Sequence, residues 1–177
     1  PTSSSLKLIN KRSKDIINRL KIDDLPTYDL DFPDVNKFRN EASVKKAHQS
    51  LIHPKSKLVE YFLWFQLNGY SNQEFMDAVK SGSIQKAAEH INMIINQERS
   101  DHLLNKKNLA ILYIYQLSQT KDEVLLKKSL SLWKEIISSN DFWKIFIRCY
   151  KKDDDLSTTD DIISNFKTNV ISSIADA

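Results

Sequence analysis

Glycine is scarce in this chain: only Gly69 and Gly82 occur among its 177 residues. Average usage of about 7% would give about twelve. Dinucleotide-binding fingerprints, phosphate-binding loops, nucleophile elbows and tight hairpins all need glycine where the backbone takes a positive φ or lies against a phosphate. The scarcity therefore argues against these motifs and leaves an all-α protein as the expected fold class.

Cysteine is nearly absent as well. The single Cys149 excludes an intramolecular disulfide and any zinc site built from a pair of cysteines. It lies in the apolar helical run 143–150, where we expect a buried thiol. No two of the four histidines have the i, i+4 spacing that places two zinc ligands on one helical face. The sequence therefore predicts no metal and no bound cofactor. Since no nucleophile–base pair is evident, it also predicts a protein that is not an enzyme.

Long hydrophobic runs and a strong charge of one sign are also missing. The longest wholly apolar stretch, Leu109–Tyr115, is far shorter than the ~20 residues that span a bilayer. The net charge of +3 is too small to imply a nucleic-acid-binding domain, which usually clusters its basic residues on one face. The sequence begins at Pro1, and no signal-type apolar segment precedes the first predicted helix. We expect a cytoplasmic chain without a membrane span, trimmed from a larger polypeptide.

Apolar residues recur with a period near 3.6 almost throughout the chain, which is typical of amphipathic helices. In the clearest stripe, Ser83 is expected to cap the helix and Gly82 to end the preceding one. The residues of this stripe are Ile84, Ala87, Ala88, Ile91, Ile94 and Ile95. A second stripe, opened by Asp122 as a cap, contains Val124, Leu125, Leu130, Trp133, Ile136 and Ile137.

These patterns predict seven to nine helices, packed as a helical bundle or a short helix-hairpin solenoid. The predicted spans are 6–20, 36–52, 56–67, 73–80, 84–98, 101–119, 122–138, 140–151 and 158–174.

Three regions follow from the same patterns. Residues 1–20 are predicted to form an N-terminal basic amphipathic helix. Residues 21–35 contain Pro26 and Pro33, which no helix can cross, and enough apolar side chains to hold this connection against the body. Residues 36–177 are predicted to form the helical domain.

The acidic stretch Asp153–Asp155 begins like a calcium-binding loop. Such a loop needs glycine at its sixth position and glutamate at its twelfth, where this chain has threonine and serine. We therefore interpret the region as a helix start. Both Ser157-x-x-Asp160 and Thr158-x-x-Asp161 have the spacing of a capping box that opens the last helix.

Aromatic residues make up 10% of the chain and cluster at helical spacing. This spacing favours packing in the core over stacking on nucleic-acid bases, which is mostly done by sheet proteins. Large aromatic side chains are also over-represented at protein interfaces, so Trp64 and Phe65 are candidate partner-binding residues. The three clusters are Tyr61, Phe62, Trp64 and Phe65; Tyr113 and Tyr115; and Trp133, Phe142, Trp143, Phe146 and Tyr150.

Basic residues line the first predicted helix, opposite an apolar side. A solvated lysine face on a helix that packs by its apolar side is the favoured interpretation. Docking onto a membrane surface or a nucleic acid is the alternative, with Lys11 and Arg12 as candidate contact residues. The basic residues are Lys7, Lys11, Arg12, Lys14, Arg19 and Lys21.

In the segment 47–57, a helix ending in Ala47-x-x-x-Leu51 is followed by Pro54 and, three residues later, by Lys57. This pattern resembles the last part of a J domain. Pro54 suits a helical corner, because proline cannot continue the first helix but is favoured in the first turn of the next. The resemblance implies a J-like helical corner over 36–67, in which Trp64 is buried against later helices.

The wider stretch Arg39–Phe65 is similar to a group of bacterial J-domain-associated, cochaperone-like helical proteins. Those proteins end this stretch in a Phe-Trp-Phe-like sequence, here Phe62–Phe65, and carry an Asn-Leu-Ala-hydrophobic-Leu-Tyr helix, here Asn108–Tyr113. They also carry a later tryptophan followed by Phe-Trp, here Trp133 and residues 142–143.

A J domain stimulates its Hsp70 partner through the tripeptide His-Pro-Asp. The nearest sequence here, His53-Pro54-Lys55, lacks the aspartate and falls at a different helix junction, so the resemblance carries over no functional residue.

Together, these observations predict a non-enzymatic protein–protein interaction module within a larger cochaperone-like or scaffold protein. The resemblance suggests a protein partner in a chaperone system. The alternative function is a nucleic-acid-associated helical protein that docks through its basic first helix.

Overall fold

The computed structural model describes residues 5–24, 28, 35–66, 71–97, 102–153 and 158–175. All regular secondary structure in these ranges is helical, which confirms the all-α prediction. The described helices are α1 (Leu6–Leu20), α2 (Val35–Phe38), α3 (Glu41–Ile52), α4 (Pro54–Leu63), α5 (Ser71–Lys80), α6 (Ile84–Ile95), α7 (His102–Thr120), α8 (Glu123–Ser138), α9 (Asn140–Asp153) and α10 (Asp160–Ala175).

The chain divides into two compact units. Unit 1 comprises Pro1–Leu63 and Ile147–Ala177, and unit 2 comprises Trp64–Phe146. This division differs from the predicted one, in which a separate basic helix precedes a single helical domain over 36–177. The structure groups α1 with α3, α4 and α10, because the side of α1 that carries the buried Ile9 packs on α3.

Unit 1 is held together by a series of helix contacts in which α1 packs on α3, α3 on α4, and α4 on α10. Two edge-to-face ring pairs lie in its core. The ring centroids of Tyr61 and Tyr150 are 5.1 Å apart, and those of Phe62 and Phe166 are 5.2 Å apart. The buried hydroxyl of Tyr150 is hydrogen-bonded to Thr158 Oγ1 at 2.9 Å.

Unit 2 is a succession of helices in which α5 packs on α6, α6 on α7 and α7 on α8. Its buried side chains include Phe65, Phe75, Val79, Ala87, Ile91, Leu104, Leu112, Trp133, Ile136, Phe142, Trp143 and Phe146. Core packing is therefore confirmed for the aromatic residues of this list. The amphipathic stripe of α6 is buried through Ala87, Ala88, Ile91 and Ile94, as predicted.

Several helix ends lie where the sequence predicts them. Helix α1 has the predicted bounds. Gly82 ends α5 with a φ of 73°, in the region that glycine adopts without strain. Asp122 caps α8 by accepting a 2.9 Å hydrogen bond from the Val124 amide. Ser83 stands at the predicted cap position of α6, but its side chain makes no capping hydrogen bond.

The predicted helix 36–52 is interrupted at Asn40. The Asn40 side chain accepts a hydrogen bond from the Ser43 amide at 2.9 Å, and Ser43 Oγ accepts one from the Asn40 amide at 3.0 Å. This reciprocal pair is a capping box with serine in the place of the usual glutamate or glutamine. It starts α3 afresh and leaves α2 as a single turn.

Helix α4 begins at Pro54, directly after the extended residue His53. The predicted helix break at this proline is confirmed. The helix ends at Leu63 rather than at residue 67. Past Leu63 the main chain leaves the helix and is bound by the side chains of Lys107 and Asn108 on α7.

At the start of α10, the capping hydrogen bond is made by Thr159 and not by the predicted Thr158. The Thr158 hydroxyl is engaged with Tyr150, and Thr159 Oγ1 instead accepts a 3.4 Å hydrogen bond from the Ile162 amide. Ser157 and the rest of 154–157 lie outside the described residues, as does most of the predicted connection 21–35. Within that connection, the Tyr28 ring lies 5.3 Å from the guanidinium carbon of Arg39.

The predicted burial of Cys149 is wrong, because this thiol-bearing side chain is half-buried. Within the predicted apolar stripe of α8, Val124 and Leu130 are exposed, whereas Leu125, Trp133 and Ile136 are buried. The apolar arc of α8 is wider than the face that its neighbours cover.

Candidate functional site

The structure assigns the four candidate partner-binding residues to different units. Trp64 and Phe65 belong to unit 2, whereas Lys11 and Arg12 belong to unit 1. Trp64 is half-buried, whereas the J-like corner implied a buried side chain. Phe65, with 8% of its surface exposed, packs edge-on against Trp64 and Phe75. Phe65 therefore contributes to the core of unit 2, and a role of either aromatic residue in partner binding stays a prediction.

The main chain at Trp64–Gln66 is held by two polar side chains of α7. The Lys107 ammonium donates to the carbonyl oxygen of Trp64. The Asn108 side chain pairs with both main-chain groups of Gln66: Oδ1 accepts from the amide at 2.9 Å, and Nδ2 donates to the carbonyl at 2.8 Å. We call Lys107 and Asn108 the α7 clamp.

Both residues of the α7 clamp are fully buried. A protonated amine is costly to remove from water, so burial lowers the pKa of Lys107 to about 7. Near neutral pH the side chain is thus divided between its charged and neutral forms. A titratable group of this kind is a candidate functional residue. In this fold its hydrogen bond goes to the main chain, so its evident role is structural.

Gln66 adds an unusual feature to the same place. Only 7% of its surface is exposed, and within the described part of the chain neither Oε1 nor Nε2 of its side-chain amide has a hydrogen-bond partner. A buried polar group without a partner costs about 1–3 kcal/mol. The α7 clamp holds the Gln66 main chain while its side chain occupies a position with no hydrogen-bond partner.

The α7 clamp is not predictable from local sequence patterns. The only signal is the sequence Lys106–Asn108, which places polar residues directly before the apolar run of α7. Such residues are ordinarily assigned to a solvated face. The main-chain partners of Asn108 and Lys107 lie 42 and 43 residues earlier in the chain, and no local pattern identifies contacts at that separation.

In unit 1, helix α1 presents an exposed basic face. Lys7, Lys11 and Lys14 follow i, i+4, i+7 spacing, so they line one side of the helix over about 10 Å. None of them is ion-paired with a described residue, in contrast to Arg19, which pairs with Asp15 at 3.3 Å. Arg12 is exposed too, but it follows Lys11 by about 100° of helical rotation and points to a different side.

One contact and one electrostatic interaction indicate how α1 lies on α3. His48 Nε2 lies 2.7 Å from Asn10 Oδ1 near the middle of the helices. The hydrogen bond and charge of Lys45 lower the pKa of the Glu41 carboxyl at the start of α3, and the charge of Lys21, directly after α1, adds a smaller lowering. The two helices are therefore antiparallel.

In unit 2, three contacts define the pairing of α7 with α8. Lys106 forms an ion pair with Glu135, and Ser129 Oγ donates to the Ala110 carbonyl at 2.9 Å. The Lys128 ammonium lies 5.7 Å from the ring centroid of Tyr113. Residue numbers rise on α7 as they fall on α8, so the helices are antiparallel.

This register places exposed apolar side chains together. Ile114 lies level with Leu126, on the flank of the helix pair opposite Tyr113 and Lys128, and Leu130 follows one turn along α8. Ile114 and Leu126 are each 38% exposed, and Leu130 is 52% exposed. We call Ile114, Leu126 and Leu130 the α7–α8 patch.

The histidines show no metal-binding arrangement in the described ranges. His90 is half-buried, and its Nδ1 lies 3.2 Å from a carboxylate oxygen of Glu74. Across the part of the chain that the structure describes, no group of three or more His, Cys, Asp or Glu side chains is close enough to hold an ion. None of the described helices has both the length and the apolar character needed to cross a bilayer.

Comparisons with protein-family models, with curated proteins and with solved structures found no match to this chain.

Proposed function

We propose that this protein is a non-enzymatic protein–protein interaction module that docks a partner on the α7–α8 patch. As the sequence leads us to expect, this module would be part of a larger bacterial, cytoplasmic protein of the cochaperone-like or scaffold type. The observation that carries it is the clustering of Ile114, Leu126 and Leu130 on one flank of a helix pair, each more than a third exposed. Single exposed apolar residues are ordinary on a protein surface, but a contiguous group is typical of interaction sites.

The packing around the patch supports this interpretation. The buried face of α8 is already filled by Leu125, Trp133 and Ile136, so Leu126 and Leu130 are not needed to complete the core of unit 2. Burying a fully exposed apolar side chain of this size stabilises a complex by about 1.5–3 kcal/mol, and these side chains, which are only partly exposed, would each contribute a fraction of that. The patch would therefore be the apolar centre of a larger contact surface.

The proposal is tested by crosslinking in cells of the source organism. A photoreactive amino acid at position 130 should give a discrete crosslinked partner protein. The same group at Met93, on α6, is the matched control, because Met93 is equally exposed at 53% but lies outside the patch. The partner band should be absent from the control. Indistinguishable crosslinks from both positions, or none at position 130, would refute the assignment of the patch.

A second candidate function is favoured by the basic face of α1. Its lysines are exposed and make no ion pair with any residue that the structure describes, and phosphate contacts need such cations. In this function α1 would bind the phosphate backbone of a nucleic acid without reading its sequence. Reversing Lys7, Lys11 and Lys14 to glutamate should then abolish oligonucleotide binding measured by fluorescence anisotropy, whereas reversing Lys86 and Lys152 should not.

The salt dependence of binding decides between the two functions. Three phosphate contacts would give a slope of log affinity against log salt of about −2 to −3. A slope near zero, or no binding at about 150 mM salt, would leave the α1 face as a solvated surface and exclude the second function.

A further inference from the structure

The shape of the α7–α8 patch matches one class of binding partner. Leu126 and Leu130 are one helical turn apart on α8, about 6 Å along its axis, and Ile114 lies beside them across the seam with α7. Apolar side chains at this spacing are complementary to an amphipathic helix, which presents its own apolar residues at i, i+3, i+4 and i+7. The patch is therefore suited to a helix laid along α8.

Two lysines beside the patch indicate the charge of its binding partner. Lys127, Leu130 and Lys134 follow i, i+3, i+7 spacing, so the two lysines border the apolar stripe of α8 on the side away from α7. Both are exposed, and neither is ion-paired with a described residue. Of the nearby carboxylates on α8, Glu123 lies one turn before Lys127 on the same side of the helix, so the two lysines outnumber it along this border. Glu135 lies on the opposite flank, where it pairs with Lys106.

A second copy of this chain is a poor occupant. In a two-fold dimer through the patch, each apolar stripe would face its equivalent, and the lysines of both copies would border the same interface. Like charges at an interface oppose association. A partner with carboxylates in the corresponding positions would instead be attracted by these lysines.

We propose that the α7–α8 patch binds an acidic amphipathic helix of another protein, whose apolar residues cover Ile114, Leu126 and Leu130 and whose carboxylates pair with Lys127 and Lys134. The proposal rests on the proposed function and adds to it the chemical class of the partner. The lysine rim sets specificity, and the apolar side chains provide most of the affinity.

Two synthetic peptides test this proposal on the full chain. They share one amphipathic helical sequence with leucine on the apolar face and differ only in having glutamate or lysine on the flanks. With two rim pairs changed from attraction to repulsion, the chain should bind the glutamate peptide about tenfold more tightly at ~100 mM salt. Affinities are measured by fluorescence titration of labelled peptide.

Reversing the charges of Lys127 and Lys134 is the decisive part of this test. The variant Lys127→Glu/Lys134→Glu should reverse the preference toward the lysine peptide, whereas the control Lys46→Glu/Lys86→Glu should keep the preference of the parent. The Leu130→Asp variant should weaken both peptides. Equal affinities for the two peptides, or a preference that survives reversal of the rim, would overturn the proposal.

Self-association is a separate outcome. If the chain forms a concentration-dependent dimer that Leu130→Asp dissociates, the occupant is a second copy and the acidic helix is refuted. The proposed function and this inference fail differently. A discrete crosslinked partner at position 130 without any charge preference would retain the docking surface and reject only the acidic partner.

Discussion

Replacing Lys107 by methionine should change how the stability of the protein depends on pH. Methionine has a similar length and no titratable group, so the variant removes the buried charge while largely filling the same volume. In the parent, burial lowers the pKa of Lys107 from 10.5 to about 7. The folded state therefore releases this proton at a lower pH than the unfolded chain does.

The sign of the effect follows from proton binding. Between the folded and unfolded pKa values the unfolded state holds more protons, so the free energy of unfolding rises with pH. Below the folded pKa the full cost of burying a charge is present, and above the unfolded pKa that cost is gone. Each pH unit within the window is worth up to about 1.4 kcal/mol. From about pH 6 to about pH 9 the Lys107 contribution should rise by about 2–3 kcal/mol.

The assay is urea denaturation followed by tryptophan fluorescence at several pH values. The quantity of interest is the free energy of unfolding of the parent minus that of Lys107→Met, because the titration of all other groups cancels in this difference. The difference should rise with pH by the amount given above. Lys106→Met is the matched control: it removes the neighbouring lysine but leaves Lys107 in place, so its curve should run parallel to that of the parent.

Parallel curves for the parent and Lys107→Met would refute the reasoning. They would mean that the Lys107 ammonium remains hydrated or paired in solution and that its burial has no electrostatic cost.

Three further substitutions test the packing of unit 2 by urea denaturation. Asn108→Leu should destabilise the protein by about 2–5 kcal/mol, because it leaves both main-chain groups of Gln66 buried without partners; a loss below about 1 kcal/mol would contradict the α7 clamp. Gln66→Met should stabilise by about 1–2 kcal/mol, because it removes an amide that makes no hydrogen bond; a loss of stability would show that the amide has a partner. Trp133→Ala should cost about 3–5 kcal/mol while Leu130→Ala stays within about 0.5 kcal/mol, since only the tryptophan is buried; similar losses would contradict the assignment of Leu130 to the surface.

Local patterns were sufficient wherever a helix begins or ends through its own residues. The bounds of α1, the cap of α8 at Asp122 and the break at Pro54 depend on side chains and proline chemistry within one turn of the boundary. The split at Asn40 is local too, but it uses serine in the third position, which the usual capping-box pattern does not include.

Features that depend on distant residues were not predictable in this way. Helix α4 stops at Leu63 because the following main chain is bound by Lys107 and Asn108, more than 40 residues later. The exposure of Leu130 has a related cause. Periodicity shows that one side of α8 is apolar, but the width of the face that becomes buried is set by the neighbouring helices.

The α7–α8 patch is likewise not predictable from local sequence patterns. Its residues belong to two helices, and their proximity follows from the register that Lys106, Ala110 and Tyr113 establish with α8. The periodicity of the α8 stripe alone does not show which of its residues remain exposed for a docking surface. The candidates chosen from composition, Trp64 and Phe65, instead lie beside the α7 clamp.

The most direct test of the central claim is the effect of one charge in the patch on the crosslink formed at position 130. With a photoreactive group at that position, Leu126→Asp should greatly reduce the yield of the partner crosslink in cells. Val124→Asp, at an apolar residue of the same helix that is more exposed (54% against 38% for Leu126) but lies outside the patch, should leave the yield unchanged. Equal yields from Leu126→Asp and the parent, with both proteins folded, would contradict a partner docked on the α7–α8 patch.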